Sequence, residues 1–280
     1  MEPLRNLLPP LPPRPQPNPA DTPASKPASS IDCDACRDTG YRGWKTPTAG
    51  YTLKECQVCD CRRGVAVAAY WQRKETEQQQ QQLSKLFVGA GVPTRFRDLT
   101  VETLIERAGN DPKKAAAIAA VRQFVTDGVV TCPISGRYKA GLLISGKFGC
   151  GKTGVITPAL RAMIERGKSG LWIEMYEFLG AVQQGYEDGD SSAKLTAAQK
   201  ADVILLDDLG DVERAKPETD DRRKLIYELI NYRHNYDLPM LITTNCDADK
   251  IAYQLGSRTM DRIFESCAWV EMGGRNLRME

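Results

Sequence analysis

Between Gly141 and Thr153 the chain reads Gly-Leu-Leu-Ile-Ser-Gly-Lys-Phe-Gly-Cys-Gly-Lys-Thr, and no other stretch limits its fold as strongly. A short apolar run, Leu142 to Ile144, stops at Gly146, and a glycine-rich loop then closes on Gly151-Lys152-Thr153. Apolar residues at helical spacing follow from Val155 to Glu165. A buried strand leading through such a loop into a helix requires an α/β layer arrangement. The spacing G-x-x-x-x-G-K-T is that of a P-loop for nucleoside triphosphates. Gly146, Gly149 and Gly151 let the backbone turn tightly, so that N–H groups point inward at phosphate oxygens. The expected cradle comprises Gly146, Lys147, Phe148, Gly149, Cys150, Gly151, Lys152, Thr153 and Gly154. Lys152 is placed for the β- and γ-phosphates and the Thr153 hydroxyl for Mg²⁺. The helix beginning near Lys152 adds its positive N-terminal end to the anion site.

Two further strands bring polar ends to this site. Val203 to Leu206 runs straight into Asp207-Asp208, the Walker B pattern. There Asp207 would hold the Mg²⁺ shell and Asp208 would polarise the attacking water. Met240 to Thr244 delivers Asn245, an amide placed to meet the γ-phosphate or the water; the plainer reading is a turn former before the next helix. Gly170 to Met175 and Ala268 to Met272 complete a set of five expected strands. Helices are expected at Ala115 to Asp127, Tyr176 to Tyr186 and Asp220 to Tyr236, with an acidic, flexible stretch at Glu187 to Ser192. His234, the one histidine, reads as a packing or capping residue. Arg258 and Arg262 stand four apart, hence on one helix face.

Ahead of this domain the composition changes twice. Residues 1–30 are rich in Pro, Ala and Ser and read as a disordered tail. Five of the nine cysteines then fall at Cys33, Cys36, Cys56, Cys59 and Cys61. Two close thiol pairs joined by about twenty residues match a structural zinc module over 31–63. Tetrahedral zinc takes four ligands; Cys33, Cys36 and Cys59 are three, and Cys56 or Cys61 supplies the fourth. Residues 64–92 read as a linker helix, Val92 to Leu99 as extended, and 93–280 as the nucleotide-binding domain. A formal charge of +2 advertises no global nucleic-acid field, so any such contact must be local. No apolar run approaches the roughly 20 residues of a membrane span, and the N-terminus has no signal-peptide core, so the chain reads as cytoplasmic.

From about Pro93 to Arg278 the order of these motifs resembles the AAA+ ATPases of the DnaC/DnaI helicase-loader and IstB group. The resemblance rests on Gly146 to Thr153, Leu205-Leu206-Asp207-Asp208-Leu209-Gly210, Ile242-Thr243-Thr244-Asn245 and Arg258-Thr259-Met260-Asp261-Arg262. The cysteine pairs are similar to the zinc-bearing helicase-docking domain of DnaI-like loaders. It implies a parallel five-stranded sheet with helices on both faces, an extra strand between the Walker A and Walker B strands, and no helical lid. Asn245 would be sensor 1 and Arg262 an arginine finger, with Arg258 its accessory or the finger itself. Arg278 matches only the group's closing Gly-x-x-x-Arg region. The implied partners are a replicative helicase, single-stranded DNA and further copies of the chain, in a ring or spiral of about six. Walker B is Asp-Asp rather than Asp-Glu, which suits slow, partner-stimulated hydrolysis. The other readings are an IstB-like transposition regulator, a nucleotide kinase, disfavoured by the Thr-Thr-Asn strand, and a zinc adaptor with structural ATP.

Overall fold

A computed structural model describes residues 32–43, 45–51, 53–106, 111–188, 191–210 and 218–274. The expected tail at 1–30 and Arg278 lie outside the described residues. The chain divides into two compact units between Gln81 and Gln82. Helix α1, Arg62–Gly89, crosses that division.

The described part of the first unit is small and turn-rich. Single 3-10 turns at Pro47–Ala49 and Leu53–Glu55 are its only regular elements before α1. An antiparallel bridge pairs Tyr41 with Val58. Its apolar cluster is only Tyr41, Cys56 and Val67, with Tyr51, Val58 and Trp71 against it. Burial of so few side chains, at about 1.5–3 kcal/mol each, falls well short of the ordering cost.

The second unit is built on five parallel strands. These are β3 (Gly141–Ser145), β4 (Gly170–Glu174), β5 (Val203–Asp207), β6 (Met240–Thr244) and β7 (Cys267–Glu271). Their order across the sheet is β4-β5-β6-β3-β7, and every pairing is parallel. β6 therefore lies between the strands that carry the P-loop and the Asp-Asp pair, as the resemblance implied. A short hairpin, β1 (Val130–Thr131) with β2 (Tyr138–Lys139), stands apart from the sheet.

Helices cover both faces, which is why these strands read as unbroken apolar runs rather than alternating ones. On one face Val121 and Phe124 of α3 (Pro112–Asp127) and Ile156 and Leu160 of α4 (Lys152–Glu165) pack on Leu142, Ile144, Leu205 and Leu241. On the other, Leu143, Ile204, Leu206 and Ile242 meet Leu179 of α5 (Met175–Asp188) and Leu229 of α7 (Asp220–Asn235). Ile251 of α8 (Ala248–Leu255) and Ile263 of α9 (Ser257–Ser266) complete that layer. α3 starts on Asp111, whose Oδ1 accepts from the N–H groups of Lys113 (2.9 Å) and Lys114 (3.1 Å).

Two local expectations are corrected. Glu187 to Ser192 is not a flexible stretch over its described part, because α5 runs to Asp188 and α6 (Ser191–Lys200) begins at Ser191. α6 consists of good helix formers behind a serine start and buries Ala198. Val92 to Leu99 is not extended throughout; Thr94–Phe96 forms a 3-10 turn behind Pro93, and Phe96 stacks on Trp172 at 5.3 Å. Short α2 (Val101–Glu106) follows it. The unit also buries a whole guanidinium. Arg233 donates to the carbonyls of Ala198 (2.9 Å), Ala201 (2.8 Å) and Pro239 (2.7 Å). It thereby ties the end of α6 to the entrance of β6. Burial pulls its pKa down to about 10, which leaves it charged at neutral pH.

Candidate functional site

Parallel strands deliver the polar residues to one edge. Ser145 pairs with Thr244 and Glu174 with Asp207, so the carboxyl ends of β3, β4, β5 and β6 are level. The loop after β3 turns into α4 through Gly151 at φ 97°, a left-handed position suited to glycine. Gly146 has a different reason to be glycine: a Cβ there would lie 2.3 Å from the Met272 carbonyl oxygen. Phe148 is half-exposed on the loop, whereas Cys150 is buried and can offer a ligand only its backbone.

Lys152 is buried, and its ammonium is held by the Lys147 carbonyl at 3.0 Å and Asn245 Oδ1 at 2.5 Å. Asn245 in turn donates through Nδ2 to Asp208 Oδ1 at 3.0 Å. Asn245 is thus more than a turn former: it bridges the P-loop lysine and the second acid. The Thr153 hydroxyl donates to Asp207 Oδ1 at 3.0 Å, and Thr243 Oγ1 donates to the same oxygen at 2.6 Å. Gly154, in the first turn of α4, faces Leu99 and Phe96.

The two acids differ in environment. Asp207 is buried and Asp208 is exposed. Burial pushes the Asp207 carboxyl above its ordinary range; the Asp208 charge adds to this and the Thr243 and Thr153 hydroxyls oppose it. Asp208 stands at φ 55°, a left-handed conformation that few residues other than Gly, Asn and Asp adopt readily. A hydroxyl and a carboxylate oxygen 3.0 Å apart, beside a lysine and the N-terminus of a fourteen-residue helix, suit a triphosphate with its divalent cation. Glu174, at the tip of β4, was not singled out from the sequence. Its carboxylate accepts from the N–H groups of Tyr176 and Glu177, capping α5, and its charge reaches Asp207.

Arg258 and Arg262 share α9, and with Tyr227, Asp261, Phe264 and Glu265 they line a shallow surface depression. Arg262 is engaged within the chain, donating to Glu265 Oε2 at 2.6 Å with His234 Nε2 at 3.2 Å. Arg258 makes no hydrogen bond or ion pair with the described residues. His234 joins α7 to α9, its Nδ1 lying 3.0 Å from Ser266 Oγ.

In the first unit, four of the five clustered thiols converge. The sulfurs of Cys33, Cys36, Cys59 and Cys61 all lie within 4.8 Å of one another. Cys33 and Cys59 are 3.7 Å apart, and Cys36 and Cys61 are 3.6 Å apart. These separations are too long for disulfides and close to the ~3.8 Å edge of a tetrahedron of Zn–S bonds of about 2.3 Å. The donor set therefore fits zinc. Cys56 is not part of the cluster and packs instead with Tyr41 and Val67. The Cys61 N–H and the Arg42 guanidinium hold the Cys59 thiol down at about 6, so a thiolate forms there readily.

Comparison with known proteins adds four findings. Residues 131–280 match the family described as IstB-like ATP binding protein. The chain is 25% identical over 194 residues to the replicative helicase loader DnaI of Bacillus subtilis (strain 168), covering 65% of this chain and 60% of that protein. It is also 25% identical over 151 residues to the replicative helicase loader DnaC of Escherichia coli (strain K12), covering 52% and 56%. Both matches thus span less than two thirds of the relative. A crystal structure of the DnaC helicase loader aligns with a TM-score of 0.54 at 23% identity, covering 65% of this chain and 100% of that one, a likeness of fold.

Proposed function

Because the chain belongs to the family of IstB-like ATP-binding proteins, within the AAA+ group that includes the DnaC and DnaI loaders, we propose that it is an ATP-dependent loader of a replicative DNA helicase. The observation that carries this reading is the closed set of contacts Lys152–Asn245–Asp208 and Thr153–Asp207–Thr243 at one sheet edge. The similarity to two replicative helicase loaders supports a replicative helicase as the client.

In this reading the loop from Gly146 to Gly154 wraps the β- and γ-phosphates with its N–H groups. Lys152 exchanges the Lys147 carbonyl and Asn245 Oδ1 for phosphate oxygens. Asp207 and Thr153 would hold Mg²⁺, which would supply positive charge against the phosphates. Asp208 orients a water for in-line attack on the γ-phosphorus; the bond to the bridging oxygen breaks, ADP departs, and the water's proton passes by way of Asp208 to the released phosphate. Asn245, freed from Lys152, senses the γ-phosphate. An arginine from a neighbouring subunit completes the site. Arg258 makes no hydrogen bond or ion pair with the described residues, whereas Arg262 must first leave Glu265. The chain assembles as a ring or spiral of about six copies, with single-stranded DNA along its inner face. The cysteine module binds zinc through Cys33, Cys36, Cys59 and Cys61 and docks the helicase, and the protein works in the cytoplasm.

The client is tested by mixing the purified chain with its host's replicative helicase, separately with ATP and ADP, and separating complexes by size. A complex formed with ATP and weakened by ADP, together with helicase transfer onto single-stranded DNA, is the expected result. No helicase complex, with ATP-dependent capture of duplex DNA and a transposase instead, would move the protein to the transposition branch of the same family.

A further inference from the structure

We propose that Thr243 is a positioning residue whose single hydroxyl aims both carboxylates of the Asp207–Asp208 pair. This rests on reading the sheet edge as an ATPase centre. Thr243 is fully buried on β6. Its Oγ1 donates to Asp207 Oδ1 at 2.6 Å and accepts from the Asp208 N–H at 2.9 Å. Its own carbonyl accepts from the Leu209 N–H at 2.9 Å. One residue therefore grips three successive residues where β5 ends.

Each grip has a separate consequence. Asp208 sits in the left-handed region at φ 55°, and the Thr243 bond to its N–H helps to hold that turn. The turn in turn sets where the exposed Asp208 carboxylate points. At Asp207, the hydroxyls of Thr243 and Thr153 both meet Oδ1, while Oδ2 accepts no hydrogen bond from the described residues. The carboxylate is thereby fixed in rotation beside the Thr153 hydroxyl, where the cation is read to bind. The adjacent threonine provides the contrast. Thr244 Oγ1 donates to the Leu209 carbonyl at 2.6 Å and accepts from the Cys246 N–H at 3.0 Å, so it serves backbone alone.

The test compares Thr243→Val, which keeps the β-branched shape and removes the hydroxyl, with Thr243→Ser, which keeps the hydroxyl. Turnover is titrated with Mg²⁺, and binding of a fluorescent ATP analogue is measured in excess chelator. Supporting residues around a metal typically change affinity or activity by about 10–100-fold. A rise of roughly tenfold in half-saturating Mg²⁺ and a fall of at least about tenfold in kcat are therefore expected for Thr243→Val. Chelator-state nucleotide binding should match the wild type, and Thr243→Ser should stay within about threefold of it. A merely structural threonine would lower the melting temperature without moving the Mg²⁺ requirement. If Thr243→Val proves too unstable, Thr243→Ala gives the same comparison without the added methyl. Wild-type Mg²⁺ dependence and kcat in a folded hydroxyl-free variant overturn the proposal. A wild-type chain that neither binds Mg-ATP nor hydrolyses it removes the ATPase reading itself, and the proposal with it.

Discussion

Asp207→Asn is expected to abolish ATP turnover and, at neutral pH, to raise the melting temperature of the nucleotide-free chain. The two effects share one cause. Asp207 is buried at the tip of β5, and burial raises its pKa above the ordinary carboxylate range. A group whose folded pKa exceeds its unfolded value contributes stability that is fully present below the unfolded pKa. That contribution is lost as pH rises through the folded pKa. At pH 7 the ionised carboxylate is therefore a cost to the empty fold, and the neutral amide removes it while its carbonyl still accepts from Thr243 and Thr153. The same charge is what a divalent cation needs, so the loss of turnover should exceed the ~10–100-fold typical of a supporting residue. Melting curves at several pH values check the sign: the gap between Asp207→Asn and the wild type should narrow as pH falls through the raised pKa of folded Asp207 and be closed below the ordinary carboxylate range. A less stable variant, or one that retains turnover, would contradict this role for Asp207.

Cys61→Ser is expected to release zinc and melt the first unit, whereas Cys56→Ala should keep the metal. Four sulfurs within 4.8 Å form a closed donor set, and Cys56 lies outside it in the small apolar cluster. With so little core, the metal would supply most of the folding free energy, and structural zinc sites of this kind contribute about 10–16 kcal/mol. One zinc per chain is expected by elemental analysis in the wild type and Cys56→Ala. Substantially less is expected after replacing Cys33, Cys36, Cys59 or Cys61. Chelation should abolish the protection of residues 32–61 from proteolysis and leave the melting transition of the sheet unit in place. Zinc retained by Cys61→Ser and lost by Cys56→Ala would reverse the assignment.

The sheet was legible because its strands are buried on both faces and end in residues whose chemistry is distinctive. Leu142 to Ile144 before a glycine loop, and Val203 to Leu206 before two aspartates, carry strand and position together. α8 and the β1–β2 hairpin were not expected, since Ala248–Leu255 and the two-residue strands are too short for periodicity to declare them. Spacing alone could not choose between Cys56 and Cys61; in the fold it is the Cys61 sulfur that lies with those of Cys33, Cys36 and Cys59. Asn245 was recognisable by its place after β6, but its bridge between Lys152 and Asp208 depends on β6 lying between β3 and β5. Thr243 belongs to the Ile242-Thr243-Thr244-Asn245 motif, but its hydroxyl contacts with Asp207 and Asp208 are hidden for the same reason.

The most direct test of the proposal that the ATPase site is shared between subunits is turnover of mixed inactive variants. Asp207→Asn is combined in turn with Arg258→Ala and with Arg262→Ala, each pair at equal concentration with single-stranded DNA. If an arginine acts on the neighbouring subunit's phosphate, random mixing joins an intact acid pair to an intact finger at about a quarter of the interfaces. Activity should then rise well above that of either variant alone, and the pair that recovers identifies the finger. No recovery in either mixture, from a wild type that hydrolyses ATP as a monomer, would contradict hydrolysis at a subunit interface.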